Sequence, residues 1–298
     1  DSALDVAGIR ARDVDRIVVG SGFTPSAILR ALPTMHHSRK DEGQFSPLLH
    51  AYILYQSGVR SLGLHVTEMA ACRRIVERRL GERPFGNAHI EMMDHHEAHA
   101  HGAYRSQAHD RSLVLTVDAM GDGTTATVWS GRGGQMDLLW RQSGLASVNT
   151  FYSRITEWLG FRPNRHEGKI TGLAAYEPAP NELLDHMRKR LRFEAPGFSR
   201  VSRRKIERKD DEFWGRLTRW SREQIAAGAQ QVLEEAVTGF VSVTDELVMP
   251  PNVTDLAERD IGTVTTTTAA TALASRVNFS AAAASRPRAT PSTRTTSG

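Results

Sequence analysis

The sequence predicts a mixed α/β fold followed by a C-terminal tail without order. Three observations carry this. The apolar run Asp15-Arg16-Ile17-Val18-Val19-Gly20 ends in glycine and suits a buried strand. Three β-rich runs separated by glycine turns follow in the middle of the chain, which then turns helical. Past about Asp260 the composition changes abruptly: 24 of the 36 residues from 263 to 298 are Thr, Ala or Ser. Such a segment has too few large apolar groups to offset its own ordering entropy. It is read as disordered, or as the product of a shifted reading frame.

The elements follow in order. Residues 44–58 and 66–80 read as helices, and His89-Ile90-Glu91-Met92-Met93 as a second strand. A His- and Ala-rich helical segment covers about 95–108. The clearest β signal is Ser112-Leu113-Val114-Leu115-Thr116-Val117-Asp118, then Thr124-Thr125-Ala126-Thr127-Val128-Trp129, then Met136-Asp137-Leu138-Leu139-Trp140. With Gly121, Gly123, Gly131, Gly133 and Gly134 between them, these runs predict an antiparallel meander. Helices are expected at roughly 150–160, 167–176, 180–192 and 211–247. The basic run of Arg200, Arg203, Arg204, Lys205, Arg208 and Lys209 reads as a solvated loop or helix face. Residues 1–250 are assigned to one partial domain and 251–298 to the low-complexity tail.

Composition excludes several classes. At 298 residues, with 40% hydrophobic and 24% charged residues, the chain is not disordered throughout. No stretch is long and apolar enough to span a membrane, and no secretory signal is seen at Asp1. The lone cysteine, Cys72, rules out an internal disulfide or a multi-cysteine metal site, fits a reducing compartment and reads as a small packed residue. The expected location is cytoplasmic. Four of the 38 basic residues lie in 263–298, which has no Asp or Glu, so residues 1–262 are charge-balanced. No nucleic-acid partner is therefore expected.

Three constellations carry chemistry. Five of the 12 histidines fall between 89 and 101. In a helix His95 and His99 share one face a turn apart, a spacing that lets two imidazoles meet one divalent metal; His96 and His99 offer a second pair. A carboxylate from elsewhere would complete a two-His, one-carboxylate site. The alternative is a polar helix face. The second is the turn Val117-Asp118-Ala119-Met120-Gly121-Asp122-Gly123, whose carboxylates and amides suit a metal–phosphate group or, more plainly, a glycine-rich hairpin. The third is Arg165-His166-Glu167-Gly168-Lys169, a proton-transfer His, a carboxylate and an ammonium, or else a surface ion cluster.

Taken in order, Asp94-His95-His96-Glu97-Ala98-His99-Ala100, the Asp118 to Gly123 turn, and His166-Glu167-Gly168-Lys169-Ile170-Thr171-Gly172-Leu173-Ala174-Ala175-Tyr176 resemble the O-carbamoyltransferases of the nodulation-factor and antibiotic type. The resemblance covers roughly residues 1–250. It implies a partial sugar-kinase/actin-like nucleotide-binding domain. It implies transfer of a carbamoyl group from carbamoyl phosphate, through a carbamoyl-adenylate made with ATP and Mg2+, to a hydroxyl of a sugar or antibiotic-like acceptor. It makes His95 and His99 ligands of Fe2+ or another divalent metal. It sets Asp118, Gly121, Asp122 and Gly123 at the nucleotide phosphates, with His166, Glu167 and Lys169 as catalytic residues near the same cleft.

The family's third metal ligand, an aspartate, is expected beyond the point where the tail takes over, and its second domain is absent from this sequence. The isolated chain is accordingly expected to be inactive, and apolar surface left uncovered allows a homodimer. Other readings are a transfer-RNA threonylcarbamoylation or hydrogenase-maturation component, and a non-catalytic nucleotide-binding remnant.

Overall fold

The computed structural model describes residues 2–32, 47–81, 85, 88–163, 165–195, 197–198, 212–247 and 266–267. Helix α1 (Ser2–Ala7) and a 3₁₀ turn lead into β1 (Arg16–Val19). Helices α2 (Ala27–Ala31), α3 (Pro47–Ser61) and α4 (His65–Gly81) then precede β2 (His89–Met92). Helix α5 (His95–Arg105) leads to β3 (Arg111–Gly121), β4 (Thr124–Arg132) and β5 (Gln135–Ser143). The remainder comprises α6 (Val148–Trp158), α7 (Glu167–Leu173), α8 (Asn181–Arg188), β6 (Phe193–Glu194), β7 (Gly197–Phe198), α9 (Glu212–Arg216), α10 (Arg222–Leu247) and β8 (Thr266–Thr267).

Strands β1 and β2 pair in parallel, Arg16 opposite His89 through Val19 opposite Met92. A parallel pair needs a long crossover, which here contains α2 to α4. The predicted meander forms as β5-β4-β3. Its antiparallel register sets Leu115 opposite Val128 and Val117 opposite Ala126, and an irregularity falls between Val117 and Gly121.

Within the tail, Thr266–Thr267 forms a short strand parallel to Leu115–Thr116. A run of β-branched threonines has the propensity for this. The rest of 248–298, and the basic run 200–209, lie outside the described residues.

The helix expected over 211–247 is two helices. A 3₁₀ turn at Leu217–Arg219 follows α9, and α10 restarts after Ser221. Ser221 Oγ accepts from Gln224 N at 3.1 Å, and the Gln224 side chain accepts from Ser221 N at 3.2 Å. That reciprocal Ser-x-x-Gln capping is written in the sequence.

The main core lies on one face of the meander. Leu115, Val117, Ala126 and Val128 pack with Phe151 and Ile155 of α6, Leu183 and Met187 of α8, and Ile225 and Leu233 of α10. The other face takes α5, with Ala100, Ala103 and Tyr104 against Val114 and Trp129. Cys72 is fully buried beside Phe23 and Val59, and burial pushes its thiol up to about 11, as an inert packed residue requires. No helix among the described residues is long and apolar enough to cross a membrane.

Candidate metal centre

The carboxyl ends of β1, β2 and β3 meet at one place, where open α/β sheets gather their functional groups. The segment after β1 brings Gly22, Phe23 and Thr24; the segment after β2 brings Asp94 and α5; β3 ends in Asp118, Gly121 and then Asp122.

Two carboxylates hold the start of α5. Asp94, the N-cap, accepts from His96 N at 3.0 Å and Glu97 N at 3.2 Å. Asp122 accepts from His95 N at 2.9 Å. The first amides of a helix lack intrahelical acceptors, and negative charge suits the positive end of its dipole. The Asp94 carboxylate is in turn ion-paired to Arg60, whose Nε donates to the Asp122 carbonyl at 3.0 Å.

Asp122 also takes the amides of Gly22 at 2.6 Å and Phe23 at 2.8 Å. Its own amide donates to Thr24 Oγ1 at 2.7 Å. The residue is fully buried with a positive φ of 50°. Asp tolerates this conformation better than most side chains. Both oxygens of Asp122, which was expected at nucleotide phosphates, bind backbone amides here.

The helix so anchored presents its histidines to two surroundings. His96 is fully buried against the sheet. Its Nδ1 lies 2.6 Å from Thr116 Oγ1 and its Nε2 3.0 Å from the Thr124 carbonyl. Thr116 Oγ1 is 2.5 Å from Thr127 Oγ1, which accepts from Trp129 Nε1 at 2.6 Å. Indole N–H can only donate and a carbonyl can only accept, so the whole chain has one direction. Thr127 donates to Thr116, Thr116 donates to His96 Nδ1, and the Nε2–H tautomer donates to Thr124. Burial, aided by the neighbouring His95, pushes the His96 pKa down to about 4 and keeps the ring neutral. The alternative pair His96/His99 is thereby excluded, because His96 is a structural group.

His95 and His99 face the other way. Their Nε2 atoms are 3.1 Å apart; Asp118 Oδ2 lies 2.6 Å from the first and 3.8 Å from the second. The three ligand atoms all fall within 4.8 Å of one another. Asp118 Oδ1 is oriented by the Ala119 amide at 2.6 Å. Burial disfavours charge on His95, but the hydrogen bond and charge of Asp118 outweigh it and raise the pKa. Burial and the neighbouring His95 lower that of His99. Burial acts to raise the Asp118 pKa, and the His95 bond and the Ala119 amide more than reverse it.

Gly121 permits this packing. A Cβ there would stand 2.0 Å from His95 Cδ2, so any side chain would evict the imidazole. Gly123, at φ 74°, is needed twice, since a Cβ there would also lie 2.5 Å from the Gln56 carbonyl.

Asp118, expected at the phosphates, is the carboxylate beside the two imidazoles. The sequence reading had left that part to a residue beyond the tail boundary. The third motif sits in other company. His166 caps α7 and its Nδ1 accepts from Arg162 N at 3.1 Å. Lys169 Nζ lies over the Phe161 ring at 5.7 Å, and Glu167 accepts from Ser153 Oγ at 3.4 Å. Arg60 and Gln56 escaped the sequence reading; nothing local marks a residue whose partner is 34 or 33 positions away. Asp94 had a signal, an acidic residue just before a helical run.

Residues 51–249 match the family described as the carbamoyltransferase N-terminus. The chain belongs to this family. It is 27% identical over 157 residues to the nodulation protein NolNO of Sinorhizobium fredii, covering 50% of this chain and 22% of that protein. It is 28% identical over 152 residues to an uncharacterized protein of Synechocystis sp., covering 47% and 24%. A Methanocaldococcus jannaschii protein is 32% identical over 115 residues, covering 34% and 19%. The chain thus spans less than a quarter of the length of these relatives.

Proposed function

We propose that this chain provides the metal-holding part of an O-carbamoyltransferase. In this reading a carbamoyl group from carbamoyl phosphate, activated with ATP and Mg2+ as a carbamoyl-adenylate, passes to a hydroxyl of a sugar or antibiotic-like acceptor. The observation that carries it is the meeting of His95, His99 and Asp118 in a chain of this family. The proposed fold is a partial sugar-kinase/actin-like domain, and the sheet order β5-β4-β3-β8, a meander with one parallel strand, supports it.

The donor set suits Fe2+ or another divalent ion. Ligand bonds of about 2.0–2.2 Å place donor atoms roughly 3–3.5 Å apart, a spacing the observed 2.6, 3.1 and 3.8 Å bracket. A bound divalent metal polarises an acyl or phosphoryl oxygen, which a carbamoyl carbon needs because its nitrogen donates into it. The chain's own groups do the rest. Asp122 and Asp94 fix the start of α5, and Gly121 leaves room for the His95 ring. Asp118 orients the ring by hydrogen bond and, with His95 and His99, would hold the ion.

Reconstitution under anaerobic conditions tests this. Wild type should retain about one Fe2+ or Zn2+ per chain, and His95→Ala/His99→Ala almost none, with both folded by far-UV circular dichroism. Equal metal content in the two proteins would remove the site.

A further inference from the structure

One face of α3 reaches both carboxylates that hold the start of the histidine helix. Gln56 and Arg60 stand a helical turn apart on it. Gln56 is fully buried, and the Arg60 side chain is 11% exposed. Both side chains lead to Asp122. Arg60 Nε donates to the Asp122 carbonyl at 3.0 Å. The Asp122 amide donates to Thr24 Oγ1 at 2.7 Å, and that hydroxyl donates to Gln56 Oε1 at 2.9 Å. Gln56 Nε2 also donates to the Phe23 carbonyl at 3.0 Å. Helix α3 thus holds the Asp122 backbone at both ends. Among the described residues, Asp122 is the one non-glycine position with a positive φ. Such a conformation persists where its surroundings over-determine it. The approach is close as well: a Cβ on Gly123 would lie 3.1 Å from Arg60 Cβ.

The same guanidinium binds Asp94. That carboxylate divides its oxygens: Oδ1 takes the amides of His96 and Glu97, and Oδ2 takes Arg60. Arg60 therefore joins the cap of α5 to the turn after β3. Its planar group also lies over the buried Phe23 ring, 5.2 Å from the centroid.

We propose that Arg60, backed by Gln56 and Thr24, is a positioning residue of the metal centre. It acts through Asp94 and Asp122, whose oxygens take the first amides of α5. With the fork in place, the helix start and the β3 turn are held at a fixed offset. At that offset His95 Nε2 lies 2.6 Å from Asp118 Oδ2 and 3.1 Å from His99 Nε2. The inference rests on the metal-holding reading for the ion, and on these hydrogen bonds alone for the seating of α5. Charge argues the other way. A guanidinium near a cation site repels the ion, so its loss should tighten binding if Coulomb's law alone decided. Geometry and charge predict opposite signs.

The test uses the full chain, with Co2+ as the probe, at pH 7.5 under argon. The ligand-field bands of bound Co2+ report affinity and coordination geometry together. Arg60→Met should bind Co2+ roughly tenfold more weakly than wild type, or worse, with altered bands. Arg60→Lys keeps the charge but cannot bridge a carbonyl and a carboxylate with one planar fork, and should bind about three- to tenfold more weakly. Thr24→Val cuts only the route through Gln56 and should weaken binding about two- to fivefold. Phe151→Ala, across the meander, should bind as wild type does. In EDTA, amide hydrogen exchange is followed at His95, His96 and Glu97, with Leu115 and Val128 as references in the core. Arg60→Met should speed exchange at the start of α5 well beyond any change at the references. Binding in Arg60→Met as tight as wild type or tighter, full rescue by Arg60→Lys, or equal acceleration at all these amides overturns the proposal. Should wild type take up no Co2+, the metal reading falls, and the exchange data alone decide whether Arg60 seats the helix. Should Arg60→Met fail to fold, Arg60→Lys and Thr24→Val decide by both readouts.

Discussion

The two faces of the meander are both buried but are built from opposite materials. On one, Leu115, Val117, Ala126 and Val128 pack with hydrocarbon and aromatic rings from α6, α8 and α10. On the other, Thr116, Asp118 and Thr127 alternate with them along the same strands; Thr116 and Asp118 meet the histidines of α5, and Thr127 bonds Thr116. The strand pleat makes this division automatic, because neighbouring side chains point to opposite faces. The apolar face tolerates approximate contacts and gains stability in proportion to area. The polar face requires every donor to find its acceptor, and it gains a fixed geometry in return. Along that second face the character also changes, from Val114 and Trp129 at one end to Asp118 at the other. The helix is therefore seated by hydrocarbon at its far end and steered by hydrogen bonds near its start.

Substitutions can separate the two faces. Phe151→Ala removes a fully buried ring from the apolar side. It should cost about 3–5 kcal/mol in urea unfolding, with metal per folded chain unchanged. Asp122→Ala releases three amides on the polar side and should cost about 3 kcal/mol while also weakening metal retention, since His95 loses its backbone anchor. A variant that loses only stability would show that the clamp does not position the ring. Thr116→Val keeps the shape but strands the His96 Nδ1 and the Thr127 hydroxyl, for a loss of about 1–3 kcal/mol. An unchanged urea midpoint for this variant would mean that the directed chain contributes nothing.

The smallest expected effect concerns pH. His186, on the apolar side, is stacked on Phe213 and bonded to its carbonyl, and burial lowers its pKa below 6.5. Its neutral form is the native one, so the stability it contributes is complete above about 6.5 and is lost as pH falls below that value. His186→Gln should lose less stability than wild type between pH 7.5 and 5. A parallel decline in both proteins would assign the acid sensitivity to the polar face, where His96 is held neutral down to about 4.

Much of this was legible in the sequence because it is local. The meander is spelled by β-branched runs and glycines, and the i, i+4 spacing of His95 and His99 puts both rings on one face whatever surrounds them. The break at Ser221 was legible too, in a Ser-x-x-Gln that periodicity alone passed over. What the sequence could not separate were the duties of Asp118 and Asp122. Four positions apart in one turn, they look alike as carboxylates, yet one faces imidazoles and the other three amides. Only the local irregularity in β3 between Val117 and Gly121 sends them to different neighbours.

The Asp122 carboxylate joins amides 100, 99 and 27 positions upstream of it. Closing loops of that length is entropically slow to repay, so such contacts form late. A nascent chain that has emerged only as far as residue 110 already carries both imidazoles, but not the latch that seats them. Under the proposed metal-holding role, ion capture would wait until the sheet is complete, and a half-made chain would be spared a grip on stray cations.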